Sequence, residues 1–196
     1  MTSQPAIQPV MPPPRQSIRV AGANGVFVTA QAWGPADGPA VLLIHGFLGG
    51  RFSWAPLIRG PLASQANLVT VELRGHGASD KPAEPSAYAD SKVWAEDIAA
   101  ITSALGLKHF ILVAHSYGGV VALDYLRHMG SSAVKSLLLL AAVAEPPGVA
   151  QDYVQPDTLP ALQASTSQDL SERVAAIRCF VQAISRSPLP ADLHDA

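Results

Sequence analysis

The apolar residues of this chain fall into short blocks, and the spacing inside a block changes from one to the next. Ser17–Ala21 and Val26–Trp33 read as two strands, and the Asn24-Gly25 pair between them is a strong hairpin signal. Ala40–His45 (AVLLIH) and Phe110–Ala114 (FILVA) are nearly continuous apolar runs, as in strands covered on both faces. Asn67–Leu73 is another strand, and so is Val134–Val143, which is dominated by Leu137–Leu140 and expected to be buried. Between these blocks the apolar spacing lengthens to the helical period. Ser53 can cap a short helix over Trp54–Leu62, with Pro56 tolerated in its first turn. Asp90 or Ser91 can cap a helix running to about Leu105, with Val93, Trp94, Ile98, Ile101 and Leu105 on one face and Gly106 as its stop. Val120–Met129 reads as a helix that ends at Gly130. Leu170–Ser185 reads as another, with Val174, Ile177, Phe180, Val181 and Ile184 on a common face.

Strand blocks that alternate with helix blocks predict an α/β fold: a mostly parallel, doubly wound sheet with an antiparallel leading strand in a hairpin at one edge. Three regions follow from the pattern. Residues 1–16, which hold Pro5, Pro9, Pro12, Pro13 and Pro14, form a Pro-rich, disordered lead-in. Residues 17–148 form the α/β core. Residues 149–196 are more polar, and their one strong helix predicts a helical lid or cap followed by a tail.

Composition narrows the choice of function. A chain of 196 residues is long enough for one domain with a real core. Its charged fraction is 14%, against a usual share of about 25%, so it has much to bury and little polar surface. A net charge of −2 provides no basic field for nucleic acid or an anionic membrane. The longest apolar run, Leu137–Ala144, is too short to span a bilayer. Cys179 is the only cysteine, which excludes an intrachain disulfide and a thiolate metal site. No His/Asp/Glu cluster has metal-ligand spacing, and nothing implies a cofactor. The chain does not start with a charged n-region followed by an apolar h-region, so a cytoplasmic protein is expected.

The candidate chemistry gathers at Ser116. This serine stands between the strand Phe110–Ala114 and the helix that follows, the strand–turn–helix context of a nucleophile elbow. Ala114 and Gly118, two residues before and two after it, are small enough to let strand and helix approach closely. A serine hydroxyl needs a base, an orienter for the base, and donors for an oxyanion. One donor is expected from the backbone N–H of Tyr117. The other should come from the loop His45-Gly46-Phe47, which leaves the carboxyl end of a neighbouring parallel strand. Phe47, Phe52, Trp54 and Tyr117 suggest an apolar pocket, although they do not identify its substrate; a small apolar ester-like substrate is expected.

Three stretches carry a resemblance: His45-Gly46-Phe47-Leu48-Gly49-Gly50, Arg74-Gly75-His76-Gly77-Ala78-Ser79 and Ala114-His115-Ser116-Tyr117-Gly118-Gly119. In order and approximate spacing they resemble the α/β-hydrolase superfamily, in its esterase, epoxide-hydrolase and haloperoxidase-like branch. The resemblance covers about Val20–Ala144. It implies Ser116 as nucleophile, Phe47 and Tyr117 as oxyanion-hole donors, and acyl transfer rather than the epoxide or haloalkane opening of aspartate-bearing relatives. Ala114 replaces the usual glycine, and Glu72 the aspartate usual before R-G-H-G.

The superfamily pattern continues with two more strands that bring an acid and then a histidine. Here the sequence ends at Leu189–Ala196, so the chain is expected to be an N-terminal portion with little turnover of its own. Of its histidines, His45 and His76 are expected to shape turns, His115 to point away from Ser116, and His128 to meet a helix C-terminus. His109 lies at the far end of its strand, and His194 in the tail. Glu145 is a possible acid. With no strand beyond it, Val134–Val143 would be a bare apolar sheet edge, and self-association through that edge is expected. A non-catalytic binding relative, or an inactive fragment, is the alternative.

Overall fold

The computed structural model of the chain describes residues 11–143, 159–165 and 167–184. The chain divides into two units, Met1–Ala144 and Glu145–Ala196. The first contains β1 (Gln16–Ala21), β2 (Phe27–Trp33), β3 (Ala40–Ile44), α1 (Ala55–Arg59), β4 (Asn67–Glu72), α2 (Ser86–Ala89), α3 (Ser91–Ala104), β5 (Phe110–His115), α4 (Gly118–Met129) and β6 (Val134–Leu140). The second contains α5 (Leu159–Ala164) and α6 (Leu170–Ile184).

The six strands form one sheet in the order β1-β2-β4-β3-β5-β6. β3 pairs in parallel with both β4 and β5, and β5 with β6. β2 runs antiparallel to β1 and to β4, so it alone opposes the rest. The hairpin turn is where Asn24-Gly25 placed it. Both residues take positive φ (55° and 74°), and Gly22 N–H donates to Val26 C=O at 2.8 Å.

The apolar strands are double-sided because side chains alternate across a pleated sheet. Leu42, Ile44, Val69, Val71, Leu112 and Ala114 pack with Ile98 and Ile101 of α3 and Val121 and Ala122 of α4. Their neighbours Val41, Leu43, Leu68 and Val113 face the other way, onto Trp54 and Ile58. Each such side chain contributes about 1.5–3 kcal/mol when fully buried. α3 is capped by Asp90, whose carboxylate accepts the Lys92 N–H at 2.8 Å. α4 stops at Gly130, where φ is 78°.

Several boundaries differ from the sequence pattern, each for a local reason. Trp54–Leu62 is not one helix. It is a 3-10 turn (Arg51–Trp54), the short α1, and a second 3-10 turn (Pro61–Ser64). Pro61 forces Gly60 out of the helical region, to ψ 176°, and breaks the run. The loop after Asp80 contains α2, whose Ala87 carbonyl accepts from Arg74 Nη1 at 2.6 Å. β6 ends at Leu140 rather than Val143, because Ala141 turns the chain at φ 44°. Nor is β6 buried: Leu138, Leu139 and Leu140 are 51%, 38% and 38% exposed, and β5 is its only strand neighbour among the described residues.

Met11–Arg15 belong to the expected lead-in but are tied to the sheet. Trp33 Nε1 donates to Pro12 C=O, Arg15 N–H to Ala32 C=O and Arg15 Nη2 to Asn67 Oδ1. In α6, Ala176 is buried and Ile177 and Phe180 half-buried, whereas Val174 is exposed. Residues 1–10, Glu145 and the tail with His194 lie outside the described residues.

Candidate active site

β5 delivers Ser116 at the carboxyl edge of the sheet, and the backbone there is strained. Ser116 has φ 50°, a left-handed conformation that costs a non-glycine residue about 1–2 kcal/mol. Local bonds enforce it. Ser116 N–H donates to Leu140 C=O at 3.1 Å, and its own carbonyl accepts from Gly119 N–H at 2.9 Å and Val143 N–H at 3.0 Å. The serine is thus held between the start of α4 and the turn that ends β6.

Two glycines let other strands close in on it. A Cβ on Gly118 would lie 2.6 Å from Ile44 C=O and 2.7 Å from His45 C=O, so α4 can start here only if this position is glycine. A Cβ on Gly46 would lie 2.9 Å from Ser116 Cβ and 3.0 Å from His115 Nδ1. The structure therefore brings together His45, Gly46, Ala114, Ser116 and Gly118, all singled out from the sequence. Neither the Phe47 N–H nor the Tyr117 N–H has an acceptor among the described residues, although both lie in these converging turns. Ser116 Oγ has no hydrogen-bond partner there either, from an imidazole or any other group.

Both nitrogens of His45 meet backbone groups. Its ring is fully buried, with Nδ1 2.7 Å from Gly46 C=O and Nε2 3.2 Å from Leu73 N–H. Only a neutral ring protonated at Nδ1 satisfies both contacts, since Nε2 must accept. Burial pushes its pKa down to about 4, which agrees with that tautomer. The His76 ring lies tilted against His45, at 58° with centroids 4.9 Å apart, and meets the Phe47 ring edge-on at 6.4 Å. Burial lowers the His76 pKa as well. His128 bonds Ser91 Oγ at 2.8 Å. The Tyr117 ring packs edge-on against Trp94 at 5.7 Å, and burial, reinforced by Asp124, raises its phenol to about 12.

Sequence patterns did not reveal the buried ion pair beneath this surface. Arg74 is completely buried, its Nε 2.7 Å from Asp97 Oδ2 and its Nη2 2.8 Å from Asp97 Oδ1. The same Asp97 Oδ1 accepts the Ala23 N–H at 3.0 Å, tying the hairpin turn, the β4 loop and α3 together. The available signal was a carboxylate set among the apolar face of α3, between Trp94 and Ile98. Among the described residues no group of His, Cys, Asp and Glu could hold a metal ion, and no helix is long and apolar enough to cross a membrane.

A strained serine between a strand and a helix, on a mostly parallel sheet with helices on both faces, defines a hydrolase-type fold. The α/β hydrolase fold family matches residues 39–172, and the chain belongs to that family. It is similar to a non-heme chloroperoxidase of Streptomyces lividans, with 31% identity over 141 residues, 72% of this chain and 49% of the relative. It is also similar to a bifunctional esterase/perhydrolase of Acinetobacter calcoaceticus, with 29% identity over 70% of this chain and 48% of the relative. Among solved structures, an esterase from Rhodococcus sp. ECU1013 superposes with a TM-score of 0.80 at 29% identity, over 91% of this chain and 65% of that one. The chain spans about half the length of these curated relatives.

Proposed function

We propose that this chain carries the nucleophile of a serine hydrolase acting on carboxylic esters or similar acyl compounds. In this reading Ser116 Oγ attacks the carbonyl carbon, and the Phe47 and Tyr117 N–H groups receive the charge that develops on the carbonyl oxygen. The alcohol leaves with a proton, and water then releases the acid from the acyl-serine. The base and its acid are assigned outside the described residues, Glu145 being the candidate acid. The φ of 50° at Ser116 carries the reading, since strain at a turn between strand and helix persists only where the surroundings enforce it. The esterase and perhydrolase names of the relatives support esters as the substrate class. The half-exposed Phe47 favours a small apolar acyl or alcohol group. Self-association of the chain would run through β6.

The test is fluorophosphonate labelling of the full chain, with p-nitrophenyl acetate hydrolysis alongside. Labelling confined to Ser116 and abolished in Ser116→Ala is the expected result. An unlabelled wild-type chain would sink the enzyme reading. With no base bonded to Ser116 Oγ among the described residues, one second reading is a binding protein that holds ester-like ligands without turning them over. Saturable binding of an ester analogue, with neither labelling nor hydrolysis, would favour it.

A further inference from the structure

The segment from Gly46 to Gly50 has little of its own to hold its shape. Three of its five residues are glycine, the conformationally freest residue. It makes one internal backbone bond, Gly49 N–H to Gly46 C=O at 3.0 Å, and Leu48 sits at φ 57°. A groove of about 570 Å³ runs along Leu48–Ser53, so close packing does not confine that side. Beyond this, Gly50 N–H donates to Ser53 Oγ at 3.4 Å and its carbonyl accepts the Ser53 N–H at 3.1 Å, so most of the remaining restraint lies at the two ends.

At the first end stands His45, locked by its two backbone contacts. At the second, Arg51 Nη1 donates to Glu72 Oε1 at 2.6 Å. Glu72 ends β4, and its side chain is only 4% exposed, against 29% for Arg51. Its other carboxylate oxygen accepts the Ala78 N–H at 2.8 Å. The turn after β4 is shaped around this group: Gly77 takes φ 52°, and a Cβ there would overlap the Glu72 carboxylate. The anchor is therefore rigid, bonded on both oxygens and fixed to a central strand, and only Arg51 joins it to the glycine segment. The Arg51 guanidinium also lies over the Phe52 ring, 4.5 Å from its centroid, which limits its rotamers.

We infer that Arg51 and Glu72 are positioning residues, whose ion pair sets the curvature of Gly46–Gly50 and so aims the Phe47 N–H at the space beside Ser116. The catalytic consequence rests on the function proposed above, but the restraint on the segment does not. Charge pairing suits the task because three of the five residues are glycine and have no side chain to pack, whereas a short charged hydrogen bond to a fixed carboxylate is directional.

Two readouts on the full chain test this in Arg51→Met, Glu72→Gln and the conservative Arg51→Lys. The first is amide hydrogen exchange of residues 46–50, measured against that of β5. The Met and Gln variants should exchange at least about tenfold faster there, with β5 unchanged and Arg51→Lys close to wild type. Unaltered exchange in a folded Arg51→Met chain would overturn the inference, and so would equal acceleration across β5. If Glu72→Gln does not fold, Arg51→Met decides alone, because its side chain is partly exposed. The second readout is kinetic: kcat, or the rate of serine labelling, should fall on the order of 10²-fold with KM unchanged. A wild-type chain that neither turns over nor labels would sink the proposed function, and hydrogen exchange would still decide the restraint.

Discussion

The two flanks of Ser116 are built on different principles. Toward β4, buried polar groups are locked by directional bonds: Arg74 with Asp97, Glu72 with the partly exposed Arg51, and His45 between Gly46 and Leu73. Toward β6, among the described residues only backbone bonds reach the serine, and a row of half-exposed leucines continues outward. The β4 flank gets its shape from directional contacts that are costly to break. The β6 flank has apolar surface whose value depends on what covers it. Substitutions on the first should therefore act on folding, and those on the second on association.

The largest effect should come from Arg74→Met. Removing the guanidinium leaves Asp97 charged and buried without its partner, at a cost of about 3–5 kcal/mol. Urea unfolding should show it, and the double variant Arg74→Met/Asp97→Leu should recover much of the loss. A single variant as stable as wild type would show that the β4 flank is not polar-locked.

Acid should act on the same flank. The folded pKa of His45, about 4, lies below its ordinary 6.5, so between these values the unfolded chain binds the proton more readily. Stability should fall as pH drops through that window and level off below it, by a total of about 3 kcal/mol. His76, shifted in the same direction, adds to the loss. Urea midpoints at pH 7 and pH 4.5 would measure the slope, and His45→Gln should flatten it. A pH-independent midpoint in wild type would contradict a buried neutral His45.

Ser116→Gly probes the junction of the two flanks. Glycine relieves the positive φ but raises unfolded-chain entropy, for a net gain of about 1 kcal/mol in thermal or urea unfolding. Loss of stability would mean that the serine side chain contributes to the fold. The smallest effect on folding belongs to Leu138→Lys on β6, which should change stability by less than about 0.5 kcal/mol yet shift the chain toward monomer in size-exclusion chromatography. If wild type already runs as a clean monomer, the open flank does not associate.

The strands and long helices were legible because their signals are local. Phe110–Ala114 is apolar on both faces, and Asp90, Gly106 and Gly130 punctuate the helices by backbone chemistry that any fold would use. The elbow was legible for a related reason, since small residues around Ser116 admit few other packings. What stayed hidden was non-local. Nothing near Arg74 in sequence names Asp97 as its partner. The break at Gly60 could have been read from Pro61, which restricts the residue before it. The end of β6 could not, because Ala141 takes a positive φ without glycine, in a turn bonded to Ser116 on another strand.

The left-handed backbone at Ser116 also limits which residues evolution can try there. Threonine, a nucleophile with the same hydroxyl, is β-branched and fits a positive φ badly. Aspartate tolerates that region well. Exchange between serine and aspartate at this position therefore costs the backbone little, while the smaller step to threonine is disfavoured. The geometry of this one turn sorts side chains by backbone tolerance, not by chemical similarity.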